Sequence, residues 1–299
     1  MTVYVIGNVA ADETFKIGVL PKIGESILGR QISRDIGGKG ANQAIVLARA
    51  GLPIRLLAAI GDDERGVWLK SELENESVPL DLLHQASVPT DVSIILSAAS
   101  GDNSIVTTTQ AAESLVRDDI VAALSDAEPG DILLLQGNLA THVTAFALAH
   151  GRAKGLTTVF NPSPAHADFA ELWSLVDLLV ANDGEAEFFT GRNREAAGRA
   201  LVAAGIPCVI VTLGGDGALL CDANSVQHVP AEPCTVIDTT GAGDTFLAVL
   251  VAAIAETGMR IDRASLECAG RAAALTITRP GTRSAFPTRA ELSALLGRR

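Results

Sequence analysis

Charged side chains and aromatic rings are both scarce in this 299-residue sequence, at 19% and 4%, against 48% hydrophobic residues. With so few rings, Ala, Val, Leu and Ile must fill the interior, a mixture that suits helices packed on a parallel sheet. Basic residues are the rarer sign: the formal charge is -12, and no cluster of Lys and Arg occurs. A surface built for a phosphate backbone is thereby excluded, so nucleic acid is not an expected partner. An anionic chain that binds an anionic ligand must gather positive potential locally, in helix N-termini, backbone amides, a few basic side chains and metal ions.

Long apolar runs are missing too. No stretch reaches membrane-spanning length without a charge, Gly or Pro, and the chain runs into an apolar strand at Val3–Ile6 without a basic leader. Neither a membrane span nor a signal peptide is expected. The four cysteines, Cys208, Cys221, Cys234 and Cys268, lack CxxC spacing and have apolar neighbours. They read as buried thiols in a reducing, cytoplasmic setting rather than as disulfides or zinc ligands. GxxxxGK[ST] is absent and no GxGxxG follows the first strand, which excludes a P-loop and a Rossmann dinucleotide site.

What is present is an alternation. From about Asp131 onward, apolar runs at Ile132–Leu135, Thr157–Phe160, Leu178–Val180 and Cys208–Thr212 alternate with helical patterns near Val143–Lys154 and Glu195–Ala204. This is the rhythm of βαβ units and predicts a mostly parallel sheet covered on both faces, joined by Val3–Gly7 and Ile54–Ile60. Residues 11–36 and 87–109 break the rhythm. In the second stretch, Val92–Leu96 and Ile105–Thr108 read as short strands around the turn Ser100-Gly101-Asp102-Asn103. A small second sheet is expected there, as a lid over a site or an edge extension of the main sheet. Helices are expected at Ala44–Ala50, Ala242–Glu256, Asp262–Thr278 and Thr288–Leu296.

The segment Asp238-Thr239-Thr240-Gly241-Ala242-Gly243-Asp244 lies between a strand-like Thr235–Ile237 and the apolar run Phe246–Ile254. Small residues at 241–243 let the backbone approach a ligand, and the helix they open points free amides and its positive dipole end outward, where an anion fits. Phosphoryl transfer needs such a hole, with a carboxylate beside it to take a hydroxyl proton, the place of Asp244. An acid at a helix start is also ordinary capping. Near the other end, Asp35-Ile36-Gly37-Gly38-Lys39-Gly40-Ala41-Asn42-Gln43 precedes a helix. Its glycines permit close contact with a polyhydroxylated ligand, and Asn42 both donates and accepts, as vicinal hydroxyls require.

These two segments together resemble the PfkB carbohydrate-kinase family, and its ribokinase-like members in particular. Further matches, in order, are Gly7 to Asp12, Gly61-Asp62-Asp63, Asn161-Pro162-Ser163-Pro164, Asn182-Asp183-Gly184-Glu185 and Thr212-Leu213-Gly214-Gly215-Asp216-Gly217. The resemblance implies a three-layer α/β/α fold with a mainly parallel sheet, in a single domain over 1–299, with residues 11–36 and 87–109 as a β-sheet lid that also mediates a homodimer. It implies an ATP-dependent enzyme that uses Mg2+ to phosphorylate a hydroxyl, expected to be primary, of a sugar or sugar-like small molecule. Asp244 is then the general base, and Gly241, Ala242 and Gly243 form the anion hole. Asp12, Gly38, Lys39, Asn42 and Asn138 contact substrate. Asn182 and Glu185 organise magnesium and phosphates, while Thr212, Gly214 and Gly217 hold ATP. A monovalent cation, usually K+, is implied at Asp238 and Thr240 with Thr276, Arg279, Gly281 and Ala285.

The departures fall in the acceptor site. Ala10 stands where ribokinases carry an Asn, Asn138 where they carry a Glu, and Gln110-Ala111-Ala112-Glu113 replaces a Gly-Ala-Asn stretch. Ala285 replaces a hydroxyl residue of the cation loop, and Gly270 an Asn near the base. A polar site discriminates strongly against ligands that leave its groups unpaired, so the accepted hydroxyl pattern is expected to differ from ribose. A nucleoside acceptor is the alternative, though Phe15 is the sole aromatic of the lid. A non-catalytic sugar- or nucleotide-binding regulator is another, disfavoured by retention of Asp244, Gly243, Asn182 and Glu185.

Overall fold

A computed structural model describes residues 1–98, 100 and 103–298. Strand β1 (Val3–Ile6) shows how the main sheet is built. Val3 and Val5 enter one hydrophobic core while Tyr4 and Ile6 enter another, because successive side chains leave a strand on opposite faces. With both faces covered by helices, the strand must be apolar throughout.

The chain continues through β2 (Ala10–Ile17), β3 (Gly29–Gly37), α1 (Lys39–Arg49), β4 (Ile54–Gly61), α2 (Glu64–Asn75), β5 (Leu83–Ala86), β6 (Val92–Ala98) and β7 (Asn103–Thr107). Two short helices, α3 (Gln110–Glu113) and α4 (Arg117–Ala123), lead to β8 (Ile132–Gln136), α5 (Thr141–Ala153), β9 (Thr157–Asn161), β10 (Leu178–Asn182), α6 (Asp183–Thr190), α7 (Arg194–Ala203) and β11 (Cys208–Thr212). Strands β12 (Ala218–Asp222) and β13 (Val226–Val229) precede α8 (Ala242–Glu256), α9 (Arg263–Ile277) and α10 (Arg289–Leu295).

The large sheet has nine strands in the order β13-β12-β11-β10-β9-β8-β1-β4-β5. It is parallel from β5 to β11, and β12 and β13 return antiparallel. Helix α8 is buried from Asp244 through Ile254 with no polar stripe, since it packs between the sheet and the neighbouring helices. The second sheet has four strands in the order β3-β2-β6-β7. Its strands fall within the two stretches that break the βαβ rhythm, with β2 and β6 parallel and both outer pairs antiparallel.

Four expectations need correction or limits. Thr235–Ile237 is not a strand: the N–H groups of Ile237 and Asp238 donate to the Ile277 carbonyl at the end of α9, at 2.8 and 3.2 Å, and Val236 and Ile237 are exposed. Cys234, on the same segment, is exposed rather than buried. Gly101 and Asp102 of the expected lid turn lie outside the described residues. Helix α1 also starts earlier than Ala44, at Lys39, because Gly38 takes φ 91° and turns the chain directly into it.

Candidate active site

Parallel strands present their carboxyl ends on one side of the sheet, where α/β proteins bind ligands. Gln136 pairs with Asn161 at the ends of β8 and β9, and Asn182 with Thr212 at the ends of β10 and β11. A row of polar side chains therefore caps a set of apolar strands.

Asp244 lies in the first turn of α8 and is buried. Its Oδ2 accepts from Asn42 Nδ2 and its Oδ1 from Gln43 Nε2, each at 2.9 Å. Beside it, Gly241 adopts φ 75°, and a Cβ there would stand 2.6 Å from the Phe286 ring, so both conformation and space require glycine. The N–H of Ala242 donates to the Thr239 carbonyl at 3.3 Å. The N–H groups of Gly243 and Asp244 carry no acceptor among the described residues, and a side chain added at Gly243 would meet open space. Of the expected anion-hole residues, Gly243 thus offers a free donor, while Ala242 is engaged by its own turn. Exposed amides at a helix start beside a buried carboxylate can hold negative charge and take up a proton within one turn of chain.

The glycines before α1 are there for close approach. Added at Gly38, a Cβ would meet Asn8 O and Val9 Cα at 2.8 Å; added at Gly37, it would overlap the carboxyl of Asp12. Asp12 therefore lies against the root of β3. Burial, with the nearby Asp35 and Asp244 charges, pushes its carboxyl up to about 6 despite a hydrogen bond from Ser93. Asn42 is buried with its Oδ1 unpartnered, as is Asn138 Oδ1 just beyond β8. A buried acceptor without a partner calls for a cause, and at Asn42 and Asn138 a ligand donor would supply one. Lys39 opens α1 and makes no ion pair among the described residues. Ala10 is fully buried at the start of β2.

On the opposite flank, Asn182 and Glu185 form a capping box: Asn182 Oδ1 accepts from Glu185 N at 2.8 Å, and Glu185 Oε2 from Asn182 N at 2.9 Å. Glu185 keeps Oε1 for a second partner. Thr212 ends β11, and the turn after it needs φ 58° at Gly214 and 93° at Gly217, where a Cβ would also strike Val229 O at 2.1 Å. Gly270 on α9 faces open space.

The expected cation ligands converge in part. Asp238 Oδ1 accepts from the Thr240 N–H and hydroxyl at 2.9 and 2.7 Å, and Oδ2 from Gly281 N at 3.0 Å. Burial pushes this carboxyl up, but those hydrogen bonds outweigh it and hold it below the ordinary carboxylate range. The Arg279 guanidinium is committed to Glu291, and the Thr276 hydroxyl to Thr245 and the Ala272 carbonyl, so those residues offer only backbone oxygens. Ala285 is buried in the same loop.

Sequence reasoning gave no role to Gln43, Gln136 or Ser93. A glutamine closing the otherwise apolar run of β8 was the available signal for Gln136.

These parts bring together free backbone amides at a helix start, an adjacent buried carboxylate and side-chain acceptors without a partner among the described residues. The pfkB family carbohydrate kinase model matches residues 3–289. The chain is 34% identical to a ribokinase of Haemophilus influenzae, covering 97% of this chain and 96% of that one, and 30% identical to a deoxyribokinase of Salmonella typhi, covering 96% of each. The structure of Arabidopsis thaliana ribokinase complexed with ribose and ATP superposes with a TM-score of 0.87 at 28% identity, over 98% of both chains. The chain belongs to the pfkB family of carbohydrate kinases, and its fold is ribokinase-like. It is an ATP-dependent sugar kinase.

Proposed function

We propose that Asp244 is the general base of this kinase and that the acceptor is a pentose-like sugar phosphorylated at a primary hydroxyl. One observation carries the reading: a buried carboxylate, gripped on both oxygens by amides of the sugar-side helix, stands beside free backbone N–H groups. In the step, the acceptor O–H bond breaks and its proton passes to Asp244. The freed oxygen bonds to the γ-phosphorus, the bridging oxygen leaves on ADP, and the amides of Gly243 and Asp244 hold the charge that develops.

Asp12, Asn42, Asn138 and the backbone at Gly38 and Lys39 orient the sugar. Ala10 removes one polar contact and Asn138 is neutral, which favours an acceptor with fewer hydroxyl partners than ribose, in keeping with a deoxyribokinase among the relatives. The phosphates of ATP lie between the anion hole and the Thr212–Gly217 turn, with exposed Val236 and Ile237 and the open face at Gly270 flanking the base.

Among the described residues no cluster of His, Cys, Asp or Glu could hold a metal by itself. That fits magnesium ligated mostly by phosphate and water, with Glu185 acting through water, where it would neutralise phosphate charge. A potassium ion fits Asp238, whose ionised carboxylate pairs with no Lys or Arg among the described residues. Carbonyls of Thr240, Thr276, Arg279, Gly281 and Ala285 would complete its shell. We further place the protein in the cytoplasm, as one catalytic domain dimerising through its lid. No described helix is long and apolar enough to cross a membrane.

The test is ADP release with MgATP over D-ribose, 2-deoxy-D-ribose, hexoses, sugar acids, polyols and nucleosides, with and without K+, for the wild type and Asp244→Asn. Asp244→Asn should bind ATP normally and lose about 1,000-fold or more in kcat. Unchanged turnover would sink the assignment.

A further inference from the structure

Gln43 and Gln136 take no part in the steps above, yet both are fully buried. Gln136 Nε2 donates to Gln43 Oε1 at 2.6 Å, and Gln43 Nε2 donates to Asp244 Oδ1 at 2.9 Å. The chain has one sense. An ionised carboxylate only accepts, so the Gln43 amide must turn its NH2 toward Asp244; its carbonyl then faces Gln136, which must answer with NH2.

That orientation leaves Gln136 Oε1 buried without a partner. The oxygen lies against the backbone at Gly7, where an added Cβ would stand 2.0 Å away. A buried acceptor without a partner lowers stability, and Leu or Met at 136 would remove the penalty. Packing alone therefore does not account for the amide, whereas a donor aimed at Gln43 does.

We propose that Gln136 and Gln43 are positioning residues, a directional relay from the end of β8 that fixes the plane of the Asp244 carboxylate. The proposal rests on the reading of Asp244 as the base. Consecutive residues of α1 each hold one oxygen, Gln43 on Oδ1 and Asn42 on Oδ2. Asn42 also has an unpartnered oxygen available to the sugar, so its grip on Oδ2 changes as substrate arrives. Gln43 does not face that exchange. Its longer side chain needs a second anchor to stay in one rotamer, and Gln136 supplies it. Oδ1 is thus the pivot, and Oδ2 is presented to the acceptor hydroxyl.

The experiment uses the full-length enzyme, MgATP and the sugar that the panel turns over fastest. Gln43→Leu is expected to lower kcat about 30-fold and Gln136→Leu about 5-fold, with KM for ATP and sugar within about twofold of wild type. The double variant should be no slower than Gln43→Leu, because the outer link acts only through the inner one. In an Asp244→Asn background, Gln43→Leu should change the residual rate by less than about twofold. Unchanged kcat, or losses that multiply in either cycle, overturn the relay. Should the Leu variants fail to fold, Gln136→Met keeps the length of the side chain without a donor, and an equal loss of about 5-fold with no fall in Tm is expected. Without any acceptor, the side-chain amide resonance of Gln136 in 15N-labelled protein should move on Asp244→Asn; an unmoved resonance speaks against coupling. Asp244→Asn in the same series separates the two ideas: full turnover there ends the base assignment, while its loss with no loss at Gln43 ends the relay alone.

Discussion

Asp12 is held at odds with its own charge. Burial and two neighbouring carboxylates push it up to about 6, so the folded state binds a proton more tightly than the unfolded chain. The sign follows: the group contributes stability that is full below roughly pH 4 and lost as pH rises through about 6. Asp12→Asn should therefore stabilise the protein at neutral pH by on the order of 1–2 kcal/mol after solvent screening, raise Tm there, and flatten the fall in Tm across that window. The same substitution should lower kcat/KM for the sugar about 100-fold, because Asn replaces one of the two accepting oxygens by an NH2 that cannot accept from a sugar hydroxyl. Thermal melts against pH, with kinetics on the same samples, check both. At the neighbouring positions, Ala10→Asn with Asn138→Glu should shift acceptor preference toward D-ribose about tenfold or more; an unshifted panel refutes the account of specificity. The Asp238–Asp244 segment and the glycines before α1 were legible as sequence, since small residues and carboxylates in fixed order have few other uses. The amides that hold Asp244 were not. Gln43 and Gln136 meet only through tertiary packing, and a buried amide has no spacing signature.

At the scale of elements, the end of β3 is tied to the loop that packs beside Gly241. Arg283 pairs with Asp35 at the end of β3, at 3.3 Å, and with Glu72 of α2. Arg49 of α1 grips Glu76 through both carboxylate oxygens, at 2.7 Å each, and donates to the carbonyls of Arg283, Phe286 and Pro287. Phe286 in turn packs on Gly241. Arg283→Met leaves Asp35 and Glu72 half-buried and uncompensated, so a loss of about 1–3 kcal/mol in stability and a higher sugar KM are expected, read by chemical denaturation and kinetics. A destabilised enzyme with unchanged KM would confine the network to stability. The elements themselves followed from periodicity: Cys208–Thr212 and Ala242–Glu256 have the bounds the sequence suggested. The apolar triplet Thr235–Ile237 misled because a β-prone run forms a strand only where a sheet edge is free to receive it. Here its backbone donors turn to the last carbonyl of α9.

At the scale of the whole molecule, the exposed apolar side chains include Ile32, Ile94, Ile105 and Val106 of the small sheet, with Ile94 and Val106 as a cross-strand pair on one face and Ile105 on the other. The proposed lid-to-lid dimer would cover the face that carries Ile94 and Val106. Sedimentation should show a dimer, and Ile94→Glu with Val106→Glu a monomer of raised sugar KM; a wild-type monomer ends the dimer reading. Away from that sheet, burial has sorted the thiols. It pushes Cys208 up to about 12 and Cys221 up to about 11, and raises Cys268, while Cys234 stands exposed on the segment leading to the anion hole. Cys234 is therefore the exposed attachment point for a fluorophore, ten positions ahead of Asp244, while Cys208 and Cys268 are half-buried. On the proposed placement of ATP, a dye there should turn the arrival and departure of nucleotide into an optical signal without an engineered cysteine.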